Sequence, residues 1–432
     1  MERVNVILPK KFDIVVGDTF QLFYRGIIDA PNPYIYDILS ACEKGRNCPR
    51  YFEFTPDCEG EYNLKISVFG AGKVLLGEAE TKLVAKSPVQ PTKPVSILCV
   101  GDSLTQGGEW AGEAMRRITA AGGTPKGDGL RDITFIGTCE KNGCRFEGYG
   151  GWRWESYYTK SPGAMWIVCN THDKTIEDQH SLWQDENGYI WQIETLADDY
   201  NKFNRYLQHE GPIPTSGSKL THYKNAVHTS PFVIESCYQE KLSPFYDTEK
   251  GEMDFVSYCT RNGFDKIDML YIFLGANGRV EDYIAGLSVT QQAEKCAESA
   301  KLMARRLHRD YPEAKIRIVG LTLPSVNGGC GTNYGAHLPS CDWYEYTRFV
   351  LESNRVHQNW VLEEEFHGFA DFVCVSAQFD TENSFPTAQK SVNTRSTKTE
   401  EIGINGAHPT YEGYMQIADA VYRNMIHTLS EF

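Results

Sequence analysis

At 432 residues the chain is long enough for two or three domains, each able to bury its own core. Its 41% hydrophobic and 23% charged content is that of a soluble globular protein, and no apolar run approaches the ~18 residues of a membrane span. A net charge of −14 argues against nucleic acid, whose phosphates need a basic face, and against adsorption to anionic lipid.

Residues 1–87 read as all-β. The stretch Glu61 to Phe69 alternates apolar and polar residues, Gly70-Ala71-Gly72 turns the chain, and Val74-Leu75-Leu76 continues it, which predicts a hairpin. Strand-like runs also occur at 4–8, 20–28 and 51–54, enough for a small immunoglobulin-like sandwich. The N-terminus has no apolar signal core, which leaves a cytoplasmic protein or one whose export signal has been removed. Pro88, Pro91 and Pro94 then make a stiff linker over 88–94, where the boundary is placed.

From residue 95 strands and helices alternate, the pattern of a parallel sheet covered on both faces. Strands are expected at 96–101, 132–137, 267–274, 315–320 and 371–376, and an amphipathic segment begins near Trp110. Val289, Ala293, Cys296, Ala297, Ala300, Met303, Ala304 and Leu307 form a helical stripe, with Ser288 and Gln291 as its capping box. A last helix opens with Pro409 at or near its first position and shows Tyr411, Tyr414, Ala418, Val421 and Met425 on one face. Between these elements, residues 152–265 carry Trp152, Trp154, Trp166, Trp183 and Trp191 without a long periodic segment, and read as an inserted subdomain. Exposed, such rings would stack on sugars or line an acyl cleft; buried, they would form the insertion's own core.

Thirteen cysteines are present. Cys99, Cys296 and Cys374 fall inside apolar patterns and read as small buried hydrophobes. Cys42/Cys48, Cys139/Cys144 and Cys330/Cys341 are placed in loops, where they could pair or bind metal. None has Cys-x-x-Cys spacing, so neither a metal nor another cofactor is expected.

The chemistry-bearing residues stand at element ends. Gly101-Asp102-Ser103-Leu104 ends the first buried strand, where open α/β sheets place their ligands. Gly275-Ala276-Asn277 ends another, and Asn405-Gly406-Ala407-His408-Pro409 precedes the last helix. A serine, an amide donor and a histidine supply a nucleophile, an oxyanion donor and a base. With Glu147-Gly-Tyr-Gly-Gly151-Trp152, these four blocks in order resemble the SGNH (GDSL) hydrolase superfamily over about residues 95–430.

The resemblance implies a flavodoxin-like three-layer α/β/α domain with a parallel sheet, here preceded by the small all-β sandwich. It implies Ser103 as nucleophile, His408 as base, and an oxyanion hole from the N–H of Ser103, the N–H of Gly151 and the Asn277 amide. Asp102 and Trp152, beside these residues, are the candidate substrate contacts. Two positions depart from the family: Gly278 stands where an aspartate usually follows the asparagine, and Asn405 where the histidine's acid usually stands. Either Asn405 orients a Ser-His dyad through its amide oxygen, or Asp380, Glu400 or Glu401 supplies the acid. The activity implied is ester hydrolysis through an acyl-serine, with an acetylated carbohydrate as the favoured substrate. A lipase or lysophospholipase, and a carbohydrate-binding protein with a degenerate site, are the alternatives.

Overall fold

A computed structural model describes residues 3–159, 166–170, 182–188, 190–195, 201–205, 217–222, 232–233, 236–239, 243–330 and 343–432. Its contacts group the chain into two compact units, one of 1–150 with 259–432 and one of Gly151–Tyr258.

The first unit is built on a parallel sheet. Val95–Gly101, an apolar run buried on both faces, has Ile133–Ile136 and Cys144–Gly148 on one side and Met269–Phe273 on the other. Lys315–Val319 and Ala370–Val373 extend the sheet in parallel, and Cys139–Lys141 closes the opposite edge antiparallel to Cys144–Gly148. Four of the five expected strands are present within two residues at each end, and the fifth, expected at 371–376, stops at Val373, because Ser376 already opens a short 3-10 turn.

Cys144–Gly148 is an additional strand, five residues long and without the continuous apolar run that marks the other parallel strands. Its Glu147 is nevertheless buried, and accepts bonds from the Thr138 N–H at 2.7 Å, from the Thr138 hydroxyl and from the Tyr149 hydroxyl. The helix Glu109–Thr119 puts Trp110, Ala111, Ala114 and Ile118 into the core together with Ile417, Ala418, Val421 and Met425 of the last helix.

The capping box at Ser288 and Gln291 starts the helix Val289–Asp310. Pro409 lies one residue outside the last helix, Tyr411–Leu429, whose N-cap is Thr410. Tyr411 is 65% exposed and leaves the packing face, which begins with Gly413 and Ile417. A further helix, Trp343–Trp360, was not evident in the sequence.

The N-terminal residues form a four-stranded sheet, in the order Lys11–Val15, Val74–Lys86, Gly60–Gly70 and Asp37–Cys42, and a three-stranded one of Phe20–Phe23, Tyr51–Phe54 and Arg46–Asn47. The hairpin turns at 71–73, where Gly72 takes φ +69°. This layer is bonded to the last helix and to the helix Glu109–Thr119. Asp18 accepts from Arg117 at 2.7 Å and from Arg423 at 2.6 Å, Asp13 accepts from Asn424 at 2.7 Å, and the Ile14 carbonyl meets the His427 ring at 2.9 Å.

The second unit carries an antiparallel sheet of seven strands, from Phe232–Val233 at one edge to Ser236–Gln239 at the other. Trp152 packs edge-on against Tyr157 at 4.8 Å, Tyr157 stacks on Phe245 at 5.5 Å, and Phe245 meets Phe255 and Tyr258. Trp154 and Trp183 are buried as well. These rings form the unit's own core; the side chains of Trp166 and Trp191 lie outside the described residues.

Cys99 and Cys374 are buried and Cys296 is half-buried. Cys42 ends a strand, and Cys139 and Cys144 lie on the two strands of a hairpin, not in loops as expected. Cys42, Cys48 and Cys144 keep free thiols. Cys341 lies outside the described residues, and among those described no three His, Cys, Asp or Glu side chains gather as a metal site.

Candidate active site

The turn after Val95–Gly101 leaves no space for side chains at its glycine. A Cβ on Gly101 would overlap the Thr105 hydroxyl and stand 2.8 Å from the Phe273 carbonyl. That hydroxyl is fixed by the Trp110 indole N–H at 3.1 Å. Asp102 then caps the short helix Ser103–Gln106: its Oδ1 accepts the Leu104 N–H at 3.0 Å, and its carbonyl accepts the N–H groups of Thr105 and Gln106. Ser103 is half-buried at the first helical position, where a backbone N–H has no acceptor within the helix. It stands at the carboxyl end of the strand from which the sheet grows in both directions, the switch point where such sheets bind ligands.

His408 reaches the serine from the other end of the chain, with Nε2 2.8 Å from Ser103 Oγ. Its loop is held from several sides. Asn405 Oδ1 accepts the N–H groups of Ala407 and His408, both at 2.9 Å. The Thr410 N–H bonds to the Ser384 carbonyl at 2.8 Å, and the Gly406 carbonyl accepts the Ser325 N–H at 3.2 Å. A Cβ on Gly406 would stand 2.5 Å from Cys330 Cα and 2.9 Å from the Gly329 carbonyl, so this contact admits only glycine. Burial lowers the His408 pKa from its ordinary 6.5, which keeps the ring neutral at pH 7 and able to accept a proton.

Asn277 follows the strand Met269–Phe273 and donates from Nδ2 to Asp102 Oδ2 at 3.0 Å. Gly275 and Gly278 on either side take φ +119° and +95°, the region of backbone space that favours glycine. Asp102 is fully buried, and burial pushes its carboxyl up to about 7 against the two bonds from Leu104 and Asn277. On the serine's other side, a Cβ on Gly148 would stand 2.7 Å from the Thr105 backbone, and one on Gly150 would stand 3.9 Å from Ser103 Cβ. The Tyr149 N–H bonds to the Gly101 carbonyl at 3.1 Å, tying this strand end to the turn.

Ser103, His408, Asn277 and Asp102 are thus brought together within the first unit. Three expectations need correction. Asp102 cannot touch a substrate, because it is buried and both its oxygens are bonded within the protein. Trp152 offers no platform, because it is 1% exposed inside the second unit's aromatic core. The Asn405 oxygen holds the backbone of the histidine turn, so its contribution is to place His408 through the main chain.

Of the alternative acids, Asp380 accepts from Arg50 at 2.6 Å and from Asn383 at 2.8 Å. Glu400 and Glu401 are exposed on a hairpin, opposite Lys390 and Gln389. Gly151 opens the second unit with φ +76°. The residues that sequence reasoning missed are Thr105, which follows the Gly-Asp-Ser-Leu block without a signal of its own, and Gly148 and Gly150, whose signal is the spacing of small residues in Gly-Tyr-Gly-Gly.

No protein-family model and no curated protein matches the chain. Among solved structures, it is similar to a carbohydrate esterase family 3 protein from Talaromyces cellulolyticus, with 11% identity, 78% of this chain and 99% of that one covered, and a TM-score of 0.37. It is also similar to a carbohydrate esterase family 2 enzyme plus carbohydrate binding domain from Corynascus thermopiles (Myceliophthora fergusii), with 9% identity, 99% and 93% covered, and a TM-score of 0.32. A peptidoglycan O-acetylesterase gives 11% identity, 79% and 93% covered, and a TM-score of 0.28.

Proposed function

We propose that the protein is a serine ester hydrolase of the SGNH (GDSL) class, a flavodoxin-like α/β/α enzyme with an accessory β module over residues 1–87. The observation that carries this reading is the 2.8 Å approach of His408 Nε2 to Ser103 Oγ at the carboxyl edge of the sheet. Neutral His408 takes the hydroxyl proton as Ser103 Oγ bonds to the ester carbonyl carbon. The negative charge then developing on the carbonyl oxygen meets the Ser103 N–H and the Asn277 amide. Gly151 keeps the third donor role on its sequence motif alone. The tetrahedral species collapses, and the alkoxide leaves with the proton now on His408. Water, deprotonated by the same ring, attacks the acyl-serine and releases the carboxylic acid.

For the substrate we propose a small acyl group, acetyl, carried by a carbohydrate. The net charge of −14 supports this over a lipid aggregate, since an acidic protein is repelled by anionic surfaces. Acetate release from acetylated glycans, by wild type and by Ser103→Ala, tests both parts. Release by wild type and none by a folded Ser103→Ala is expected. Equal release by the two proteins overturns the nucleophile, and a preference for octanoyl over acetyl p-nitrophenyl ester overturns the acyl class.

A further inference from the structure

We propose that Asp102 is a positioning residue that fixes which end of the Asn277 amide faces the reacting ester. The inference rests on the function proposed above and adds to it a residue that itself never touches substrate.

The argument is one of donors and acceptors. An amide side chain has a donor end and an acceptor end of nearly the same shape, and packing alone does not choose between them. Its hydrogen-bond partners choose. Asp102 is fully buried, so solvent satisfies neither of its oxygens. Oδ1 faces the N–H of Leu104, a backbone donor fixed by the first helical turn, at 3.0 Å. Oδ2 is left facing Asn277 at 3.0 Å, and a carboxylate oxygen only accepts. Asn277 must therefore turn its NH2 towards Asp102, the residue beside Ser103, and its carbonyl away. With the amide reversed, a carbonyl oxygen would stand where negative charge develops in the transition state, turning a stabilising donor into a repelling acceptor. Asparagine could fill the space of Asp102, but it would impose the opposite direction, because the Leu104 N–H holds its oxygen and leaves its NH2 towards Asn277.

The substitution Asp102→Asn tests this with almost no change of shape. The Leu104 N–H holds the oxygen of the new amide, so its NH2 faces the NH2 of Asn277. Rotating Asn277 by half a turn restores the hydrogen bond and reverses the oxyanion donor. We expect kcat to fall ~100-fold or more, as for loss of an oxyanion donor, with KM within about threefold of wild type. The melting temperature should not fall, because residue 102 keeps its bonds to Leu104 and Asn277 and a buried charge is gone.

A second arm asks whether the effect runs through Asn277. In an Asn277→Ala background, which has no amide to reverse, Asp102→Asn should cost less than about threefold in kcat. The inference is overturned by a kcat within threefold of wild type in the single variant, or by an undiminished loss in the Asn277→Ala background. It is also overturned by a loss of activity that only follows a loss of melting temperature. Failure of the function itself is read separately: fluorophosphonate should label wild type and not Ser103→Ala, and an unlabelled wild type removes the serine-hydrolase reading whatever Asp102 does.

Discussion

Replacing Asp18 by asparagine should cost the protein about 3 kcal/mol of folding stability, although the residue belongs to the N-terminal sheets and takes no part in the chemistry. Asp18 Oδ1 accepts from Arg117 at 2.7 Å and Oδ2 from Arg423 at 2.6 Å. Arg117 is 2% exposed, lies 3.7 Å over the Tyr422 ring and is also held by Asp419 at 2.6 Å. Burial by itself would raise the Asp18 pKa, but the Arg423 and Arg117 guanidinium groups outweigh it and hold the carboxyl below its usual range.

Removing one partner of a buried ion pair typically costs ~3–5 kcal/mol, because the charge left behind stays desolvated. The lower end applies to Asp18→Asn, since Asp419 still holds Arg117, and Gln378 and the Thr19 carbonyl still hold Arg423. Urea denaturation followed by tryptophan fluorescence at pH 7 measures the loss, and Arg423→Gln in the same cycle measures the coupling. Since the folded pKa of Asp18 is depressed, its contribution is present above the unfolded value near 3.8 and disappears as pH falls through the folded one. The penalty of the variant should therefore shrink in acid. A loss below 1 kcal/mol at pH 7, or a penalty that grows as the pH is lowered, would refute the reasoning.

His408→Ala should abolish both ester hydrolysis and fluorophosphonate labelling of Ser103, and labelling at the wild-type rate would mean that another group activates the serine. Asn405→Ala removes the acceptor of two backbone N–H groups that seat His408, and should lower kcat ~10- to 100-fold through misplacement of the ring. Asn405→Asp keeps the acceptor and should retain most of the activity; equal losses in the two variants would count against the turn as the reason. Wild type should lose kcat as pH falls through about 7, where Asp102 gains a proton on Oδ2 and can no longer accept from Asn277. In Asp102→Asn that limb should vanish, leaving the one from His408, which burial sets below 6.5. The raised Asp102 pKa stabilises the fold fully below pH 3.8 and loses that contribution as pH rises through about 7, a change of ~4 kcal/mol for three pH units. The stability of Asp102→Asn relative to wild type should rise with pH by that order, as measured by denaturation at pH 4 and pH 8.

The parallel strands were legible because a strand buried on both faces must be apolar throughout and must stop at a residue that can turn, as Gly101 and Gly275 do. The 289–310 helix was legible because its cap uses local chemistry, with Ser288 and Gln291 three residues apart. Cys144–Gly148 was hidden because its burial depends on Thr138 and Tyr149 satisfying Glu147, a tertiary arrangement with no period in the sequence. Ser103, Asn277 and His408 could be named from their motifs, but the bond from Asn277 to Asp102 joins positions 175 residues apart and has no local signature. Trp152 shows the limit from the other side. A tryptophan in a polar, glycine-rich stretch looks like a surface platform until Tyr157 and its neighbours are found against it.

The bonds between the N-terminal strands and the last helix also set the order in which the molecule can be completed. Asp18 and Arg423 are 405 residues apart, and Ile14 and His427 are 413 apart. On a ribosome adding ~5–20 residues per second, the strand Lys11–Val15 emerges about 20–80 s before the helix that satisfies it. During that interval Asp13 and Asp18 have no cationic partners from the C-terminal helix, and Val15 lacks the core that it finally shares with Ile417, Val421 and Met425. A nascent chain of this protein therefore carries an unfinished edge for most of its synthesis.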